Sequence, residues 1–132
     1  MTKKLKVGDQ REDGTIYAGI SPDTHERMYV LPADAPLTLE FREAREYAAK
    51  AVDAQDHGGF RLPSKAELSV LQRNRHRGAL KGTFNEAGGG YWSSKSRCDL
   101  YAYMQNFSDG DQDIKHKFDA MHVRCVRSER KL

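Results

Sequence analysis

Three acidic residues that could bind a cation lie close together at Asp109, Asp111 and Asp113, in the order Asp-Gly-Asp-Gln-Asp. Carboxylates at alternate positions are ligands in an EF-hand calcium loop, which also needs glycine at its sixth position and glutamate at its twelfth. A loop that starts at Asp109 has Ile114 and Ala120 at those positions. The run is therefore predicted to form a hairpin turn, because Asp and Gly accept tight turn conformations.

The thiols and imidazoles are scattered along the chain. Cys98 and Cys125 are far apart in sequence, and Cys125 lies in Val-Arg-Cys-Val-Arg, where it is predicted to be a small core residue. A disulfide between them is left open. The five histidines show no spacing typical of a zinc site. Residues 88–90 are glycines that precede a predicted strand, so they offer no helix N-terminus to a phosphate. We therefore expect no catalytic residue, no metal and no cofactor.

Basic and aromatic residues give the strongest binding signal. The densest basic cluster is Arg73, Arg75, His76, Arg77 and Lys81. Tyr101 and Tyr103 alternate along one predicted strand, and Lys115 and Lys117 lie on the next. Basic residues beside aromatic ones suit single-stranded nucleic acid, and Tyr and Arg are also common anchors of protein interfaces. A solvated helix end beside ordinary cross-strand pairs is the third interpretation.

The elements that must position these residues are organised around residues 58–71, Gly-Gly-Phe-Arg-Leu-Pro-Ser-Lys-Ala-Glu-Leu-Ser-Val-Leu. Ser64 and Glu67 have capping-box spacing, which predicts a helix from Lys65 to about Asn74. Helical periodicity predicts an earlier helix from Thr38 to about Gln55. Strands are predicted over 15–20, 27–31, 91–94, 100–107, 113–118 and 121–127. This order favours an α+β fold with an antiparallel sheet.

Bulk properties limit the class of protein. A chain of 132 residues fits one domain, and we expect a polar lead-in over 1–13, a domain over 14–127 and a charged tail over 128–132. The chain is 31% charged with a mean hydropathy of −0.80, and no apolar run suits a membrane span. Without an apolar secretion signal, a cytoplasmic location, reduced thiols and no membrane partner are expected. The net charge of +3 is too small to indicate nucleic-acid binding by itself.

Four segments occur in an order that resembles a known family: GGFRLPSKAEL, YWSS, NFSDG and VRCVR. This order resembles the Lcl C-terminal-like domains of bacteria and phages, which have a C-type-lectin-like fold similar to that of formylglycine-generating enzymes and of the variable proteins of retroelements. The resemblance covers 14–127. It implies two helices against a twisted antiparallel sheet with long loops, and terminal strands that lie close together. Arg61, Leu62, Trp92, Val123 and Cys125 would then be scaffold.

The resemblance also narrows the function. Calcium-dependent lectins use Glu-Pro-Asn or Gln-Pro-Asp tripeptides, which this sequence lacks. We therefore expect a non-enzymatic binding module that docks on another macromolecule, with a protein as the expected partner. More specifically, we expect a phage or mobile-element inhibitor or adaptor of a host complex. A nucleic-acid-binding protein and a formylglycine-generating-like enzyme, with its two cysteines, are the alternatives. The predicted partner-binding residues are Tyr101, Tyr103, Asn106, Asp109, Asp111, Asp113, Lys115, Lys117, Arg73, Arg75 and Arg77.

Overall fold

The computed structural model describes residues 4–129 and confirms the α+β class. In chain order the elements are β1 (Ile16–Ile20), β2 (Arg27–Val30), α1 (Phe41–Lys50), α2 (Lys65–Asn74), a 3-10 helix (Gly78–Leu80), β3 (Tyr91–Ser96), β4 (Tyr101–Gln105), β5 (Gln112–His116) and β6 (Val126–Ser128). The strands form two antiparallel three-stranded sheets, with the orders β1-β2-β6 and β3-β4-β5. Because β6 pairs with β2, the early and late parts of the chain share one sheet.

Helix α2 begins as the sequence predicts. Ser64 Oγ accepts a hydrogen bond from the Glu67 backbone N–H at 3.1 Å, and Glu67 Oε1 accepts one from the Ser64 N–H at 2.9 Å. The Glu67 side chain is buried and pairs with Arg61, whose Nη1 lies 2.5 Å from Oε1. Arg61 also exchanges two backbone hydrogen bonds with Val126, the first residue of β6. The capping box therefore connects α2 to the first sheet.

Helix α1 is shorter than the sequence predicts, and the prediction that it runs from Thr38 to about Gln55 is wrong. Leu39 pairs with Met121 in an isolated β-bridge, which keeps the chain extended up to Glu40. At the other end, Asp53 Oδ1 accepts the backbone N–H groups of Gln55 and His57 and replaces helical hydrogen bonding with a turn. Local side-chain acceptors of this kind compete with a helix.

Two clusters of buried side chains make up the core. The first lies between α2 and the sheet that holds β6, and includes Leu68, Leu71 and Val126. The second lies between α1 and β3–β4, where the Phe41 and Trp92 rings meet edge to face at 5.3 Å. The predicted last strand, 121–127, is reduced to β6, because Val123 and Cys125 bond instead to the loop that follows β2. Apart from the half-buried Arg61, the predicted scaffold residues Leu62, Trp92, Val123 and Cys125 are all buried.

The segment before β1 is hydrogen-bonded to the rest of the domain. Gly8 N–H donates to Tyr17 O at 2.8 Å, and Tyr17 N–H donates to Asp9 O at 2.9 Å. The 3-10 helix packs on the other side of the segment, where Ala79 N–H donates to Gly8 O at 2.8 Å. Within residues 4–129, no helix has the length and apolarity to cross a bilayer.

Candidate functional site

Four side chains at the open end of the β4–β5 hairpin form what we call the aromatic surface: the exposed Leu100, Tyr101 and Phe118 and the half-buried His116. The Tyr101 and His116 rings meet edge to face at 5.5 Å, because the two residues are directly opposite each other in the β4–β5 ladder. The His116 and Phe118 rings lie 5.2 Å apart. Phe118 is 71% exposed and Leu100 51% exposed. Exposed apolar and aromatic side chains that are grouped in this way are typical of an interaction surface.

Backbone hydrogen bonds hold the aromatic surface in place. Lys117 N–H donates to Leu100 O at 2.8 Å, and Lys117 O accepts from Phe41 N–H at 2.9 Å at the start of α1. The Phe118 N–H donates to His116 Nδ1 at 3.2 Å, which requires a ring whose Nδ1 carries no proton. The three rings are therefore mounted on a hydrogen-bonded hairpin that is joined to a helix.

A groove of about 610 Å³ runs between the aromatic surface and α1. Phe118, Lys117 and Asp99 line one side. The α1 side is lined by Glu40, Phe41, Arg42, Arg45, Glu46 and Ala49. The lining carries three cations and three carboxylates, and two of the cations, Arg45 and Lys117, lie 5.9 and 5.3 Å from the Phe41 ring. The groove thus combines an aromatic rim with charges of both signs.

The structure separates the tyrosines of β4 from Lys115 of β5. Tyr103 lies opposite Ile114, whereas Lys115 lies opposite Ala102. Directly opposed residues share a face of the ladder, so Lys115 is on the face away from the two tyrosines. The cation next to Tyr103 comes instead from α2, since Lys65 Nζ lies 3.8 Å from the ring centroid.

The predicted acidic residues take part in turn hydrogen bonds. Asp109 Oδ1 accepts the Asp111 N–H at 2.9 Å, and Asp113 Oδ1 accepts the Ile114 N–H at 2.7 Å. Asn106 closes the same turn by accepting the Gly110 N–H at 2.9 Å. This is the Asp-Gly hairpin that the sequence predicts.

The arginine cluster lies near the turn end of the hairpin, away from the aromatic surface. A Cβ added at Gly110 would lie 3.2 Å from the Gln72 amide at the end of α2. The cluster is also partly neutralised, because Arg75 Nε lies 2.6 Å and His76 Nε2 3.0 Å from the Glu86 carboxylate. Hydrogen bonds from Arg75 and then His76 lower the pKa of Glu86. The structure thus divides the predicted partner-binding residues between the two ends of the hairpin.

Comparison with known proteins assigns the family. Residues 13–127 match the family described as the Lcl C-terminal domain. The chain belongs to this family. The domain is also similar to botrocetin, a protein of C-type-lectin-like fold, with a TM-score of 0.56 and 11% sequence identity over 92% of this chain and 100% of the botrocetin chain. A comparison with curated proteins gave no significant match. The C-type-lectin-like fold expected from the sequence is therefore confirmed.

The cysteines of this Lcl C-terminal domain are both free and lie in different environments. Cys98 is exposed in the loop between β3 and β4, while Cys125 is 1% exposed in the second core cluster. Burial raises the pKa of the Cys125 thiol to about 12. A thiol of this kind is inert at neutral pH.

One ionic cluster of the Lcl C-terminal domain is not predicted by its sequence. The Arg127 guanidinium bridges two acids, with Nη2 2.9 Å from Asp13 Oδ2 and Nη1 2.9 Å from Asp53 Oδ2. His57 Nδ1 lies 3.1 Å from the same Asp53 oxygen. We call these four residues the Arg127 clamp. No spacing rule could have found it, since Asp13 and Arg127 are 114 positions apart.

The Arg127 clamp contains the one group of metal-ligand type within residues 4–129, since Asp13, Asp53 and His57 each present a ligand atom within 4.8 Å of the others. The guanidinium of Arg127 already contacts both carboxylates. A cation would therefore have to displace an internal positive charge, and the cluster is best explained as structural.

Proposed function

We propose that this domain is a non-enzymatic binding module that docks on another protein through the aromatic surface. The observation that carries the proposal is the pair of exposed rings, Tyr101 and Phe118, that both contact His116. Large aromatic side chains are enriched among the residues that anchor protein interfaces. Phe118 belongs to neither core cluster of residues 4–129, so its exposed ring is not explained by packing.

The rigidity of the aromatic surface supports a docking role. Binding costs less when interface groups are ordered beforehand. Here the backbone of Lys117 is hydrogen-bonded on both sides, to Leu100 and to Phe41. The mixed charges of the adjacent groove provide the polar rim that such interfaces have.

The cysteine environments support the proposal against a formylglycine-generating-like enzyme. Such an enzyme uses a pair of cysteines on its ligand face. In this chain Cys98 is exposed and Cys125 is a core residue. A domain that docks without catalysis acts by covering a site on its partner or by bridging two partners.

As the finer function, we propose that this domain is a phage or mobile-element protein that acts as an inhibitor or adaptor of a host complex in the cytoplasm.

The test is an affinity capture from host lysate with three forms of the full chain: wild type, the double variant Tyr101→Ala/Phe118→Ala, and Ile20→Ala as a control. Ile20 is 49% exposed on β1, in the other sheet. We expect wild type and the control to enrich the same protein, and the double variant to lose at least about tenfold in affinity for it, as for loss of interface anchors.

Three results would contradict this proposal. The first is a partner that the double variant retains at wild-type affinity, and the second is no enrichment by any form. The third is a wild-type dimer in light scattering that the double variant abolishes, because the occupant of the aromatic surface would then be a second copy of the chain.

A further inference from the structure

Two basic segments that are distant in sequence meet at a contact between Gly8 and Gly78. Ala79 N–H donates to Gly8 O, and a Cβ built on Gly78 would lie 2.7 Å from that oxygen. A Cβ built on Gly8 would lie 2.6 Å from Arg77 O. Gly8 and Gly78 also have φ values of +97° and +49°, which favour glycine. The contact therefore depends on glycine in both segments.

The Gly8–Gly78 contact brings two positively charged segments together. Residues 4–8 and 73–82 together contain six Lys or Arg and no Asp or Glu, whereas the whole chain has a net charge of +3, so the remainder is net negative. Five of these side chains are exposed and are defined here as the basic patch: Lys4, Lys6, Arg73, Arg77 and Lys81. The sequence alone predicts only the second segment of this patch.

The nearby acids leave these five cations without an ion pair. Glu86 binds Arg75 and His76, which are outside the patch. Asp9 Oδ2 accepts the backbone N–H of Lys6 at 2.8 Å rather than its amine. Within residues 4–129, no ion pair involves a side chain of the basic patch. Grouped like charges destabilise a folded chain, so a stable domain gains nothing from this arrangement unless a polyanion binds.

The composition of the two segments indicates which polyanion fits. A protein interface needs apolar or aromatic anchors at its centre, but Val7 and Ala79 pack inward against the first core cluster and Leu80 is fully buried. Residues 4–10 and 73–82 contain no Phe, Tyr or Trp on which an unpaired base could stack. Cations without anchors or stacking rings match the phosphate backbone of a duplex.

We infer that the basic patch binds the phosphate backbone of duplex nucleic acid without reading its sequence. This second surface is separate from the aromatic surface, and it extends across the Gly8–Gly78 contact to the N-terminal lysines. Five phosphate contacts predict a slope of about −4.5 for log K against log salt concentration.

The test measures the anisotropy of a fluorescent 20-base-pair DNA of arbitrary sequence, titrated with the full chain between about 50 and 300 mM salt. The variants are Lys6→Glu, Arg77→Glu and a control with the same change of charge, Lys50→Glu, at the exposed end of α1. We expect Lys6→Glu and Arg77→Glu each to weaken binding and to lower the slope by at least about 1, and Lys50→Glu to leave both near wild type.

Three outcomes would overturn the inference. Binding that Lys6→Glu leaves intact would restrict the surface to residues 73–82. Equal loss in Lys50→Glu would indicate a response to net charge alone. Competition by polyglutamate as strong as by the duplex would indicate an acidic protein as the partner. The variant Tyr101→Ala/Phe118→Ala should retain DNA binding, so failure of the protein-docking proposal and failure of this inference are distinguishable.

Discussion

Single side chains in the Arg127 clamp connect parts of the chain that no local motif connects. Asp53 is buried, and its carboxylate accepts hydrogen bonds from the His57 and Gln55 backbone and from Arg127. Burial opposes ionisation of Asp53, but these hydrogen bonds together hold its pKa well below its usual value. Hydrogen bonds from Thr15 and the charges of Arg11 and Arg127 likewise lower the pKa of Asp13.

The lowered pKa values of Asp13 and Asp53 predict acid sensitivity. In an unfolded chain an aspartate has a pKa of about 3.9. A carboxyl whose pKa is lower in the folded state stabilises the fold. Its contribution is complete above the unfolded pKa and is lost as the pH falls from the unfolded pKa towards the folded pKa. We expect the melting temperature to be steady from pH 7 to 5 and to fall below about pH 4, as measured by circular dichroism.

The variant Asp53→Asn tests whether this acid sensitivity comes from the Arg127 clamp. It should be less stable than wild type at pH 7, and the difference should shrink on acidification. Asp113→Asn is the control, since Asp113 is exposed in the hairpin. A difference between wild type and Asp53→Asn that stays constant down to pH 3 would contradict the prediction.

The buried Arg124 gives a second prediction at this scale. Its side chain is fully buried, pairs with Asp34 at 2.9 Å and lies 4.0 Å from the Phe84 ring centroid. Removing one partner of a buried ion pair costs about 3 to 5 kcal/mol. We expect Arg124→Ala to lower the free energy of unfolding in urea by that amount.

Arg27→Ala is the comparison for Arg124→Ala. Arg27 pairs with Glu129 at 3.6 Å, but both side chains are about two-fifths exposed. Exposed pairs contribute less than about 1 kcal/mol. Equal losses in the two variants would show that Arg124 is not held by a buried ion pair.

At the scale of elements, the start of α2 can be tested by Ser64→Ala. Ser64 Oγ accepts the Glu67 N–H and donates to Asp23. Loss of such a cap costs about 1 kcal/mol, which urea unfolding should show. Binding at the aromatic surface should be unchanged, and a loss of binding without a loss of stability would mean that the functional face lies elsewhere.

Elements with local signals could be predicted from the sequence, and those set by distant contacts could not. The capping box of Ser64 and the Asp109-Gly110 turn each depend only on residues that are close in sequence, and the structure confirms both. The ends of α1 were missed because its start depends on a bridge from Leu39 to Met121. The aromatic surface was predicted in part: Tyr101 was included, but His116 and Phe118 join it only through the β4–β5 register.

At the scale of the whole molecule, family and fold could be predicted, because the four ordered segments mark buried or hydrogen-bonded positions. The placement of function is harder to predict. The predicted partner-binding residues lie at both ends of one hairpin. The basic patch includes Lys4 and Lys6, which are about 70 positions before residues 73–81 in sequence and reach them only through the Gly8–Gly78 contact. The aromatic surface and the basic patch share no residue, so the two proposals do not compete for the same side chains.

The pairing of β2 with β6 has a consequence for the biogenesis of the protein. Met28, Tyr29 and Val30 of β2 pair with β1 on one side, but their partners on the other side are residues 126–128. A ribosome must therefore release nearly the whole described chain before the first sheet can close. Contacts so distant in sequence also slow folding. Until then the β2 edge that faces β6 has no backbone partner on the nascent polypeptide, and chaperones that bind unpaired strands during translation should engage this protein.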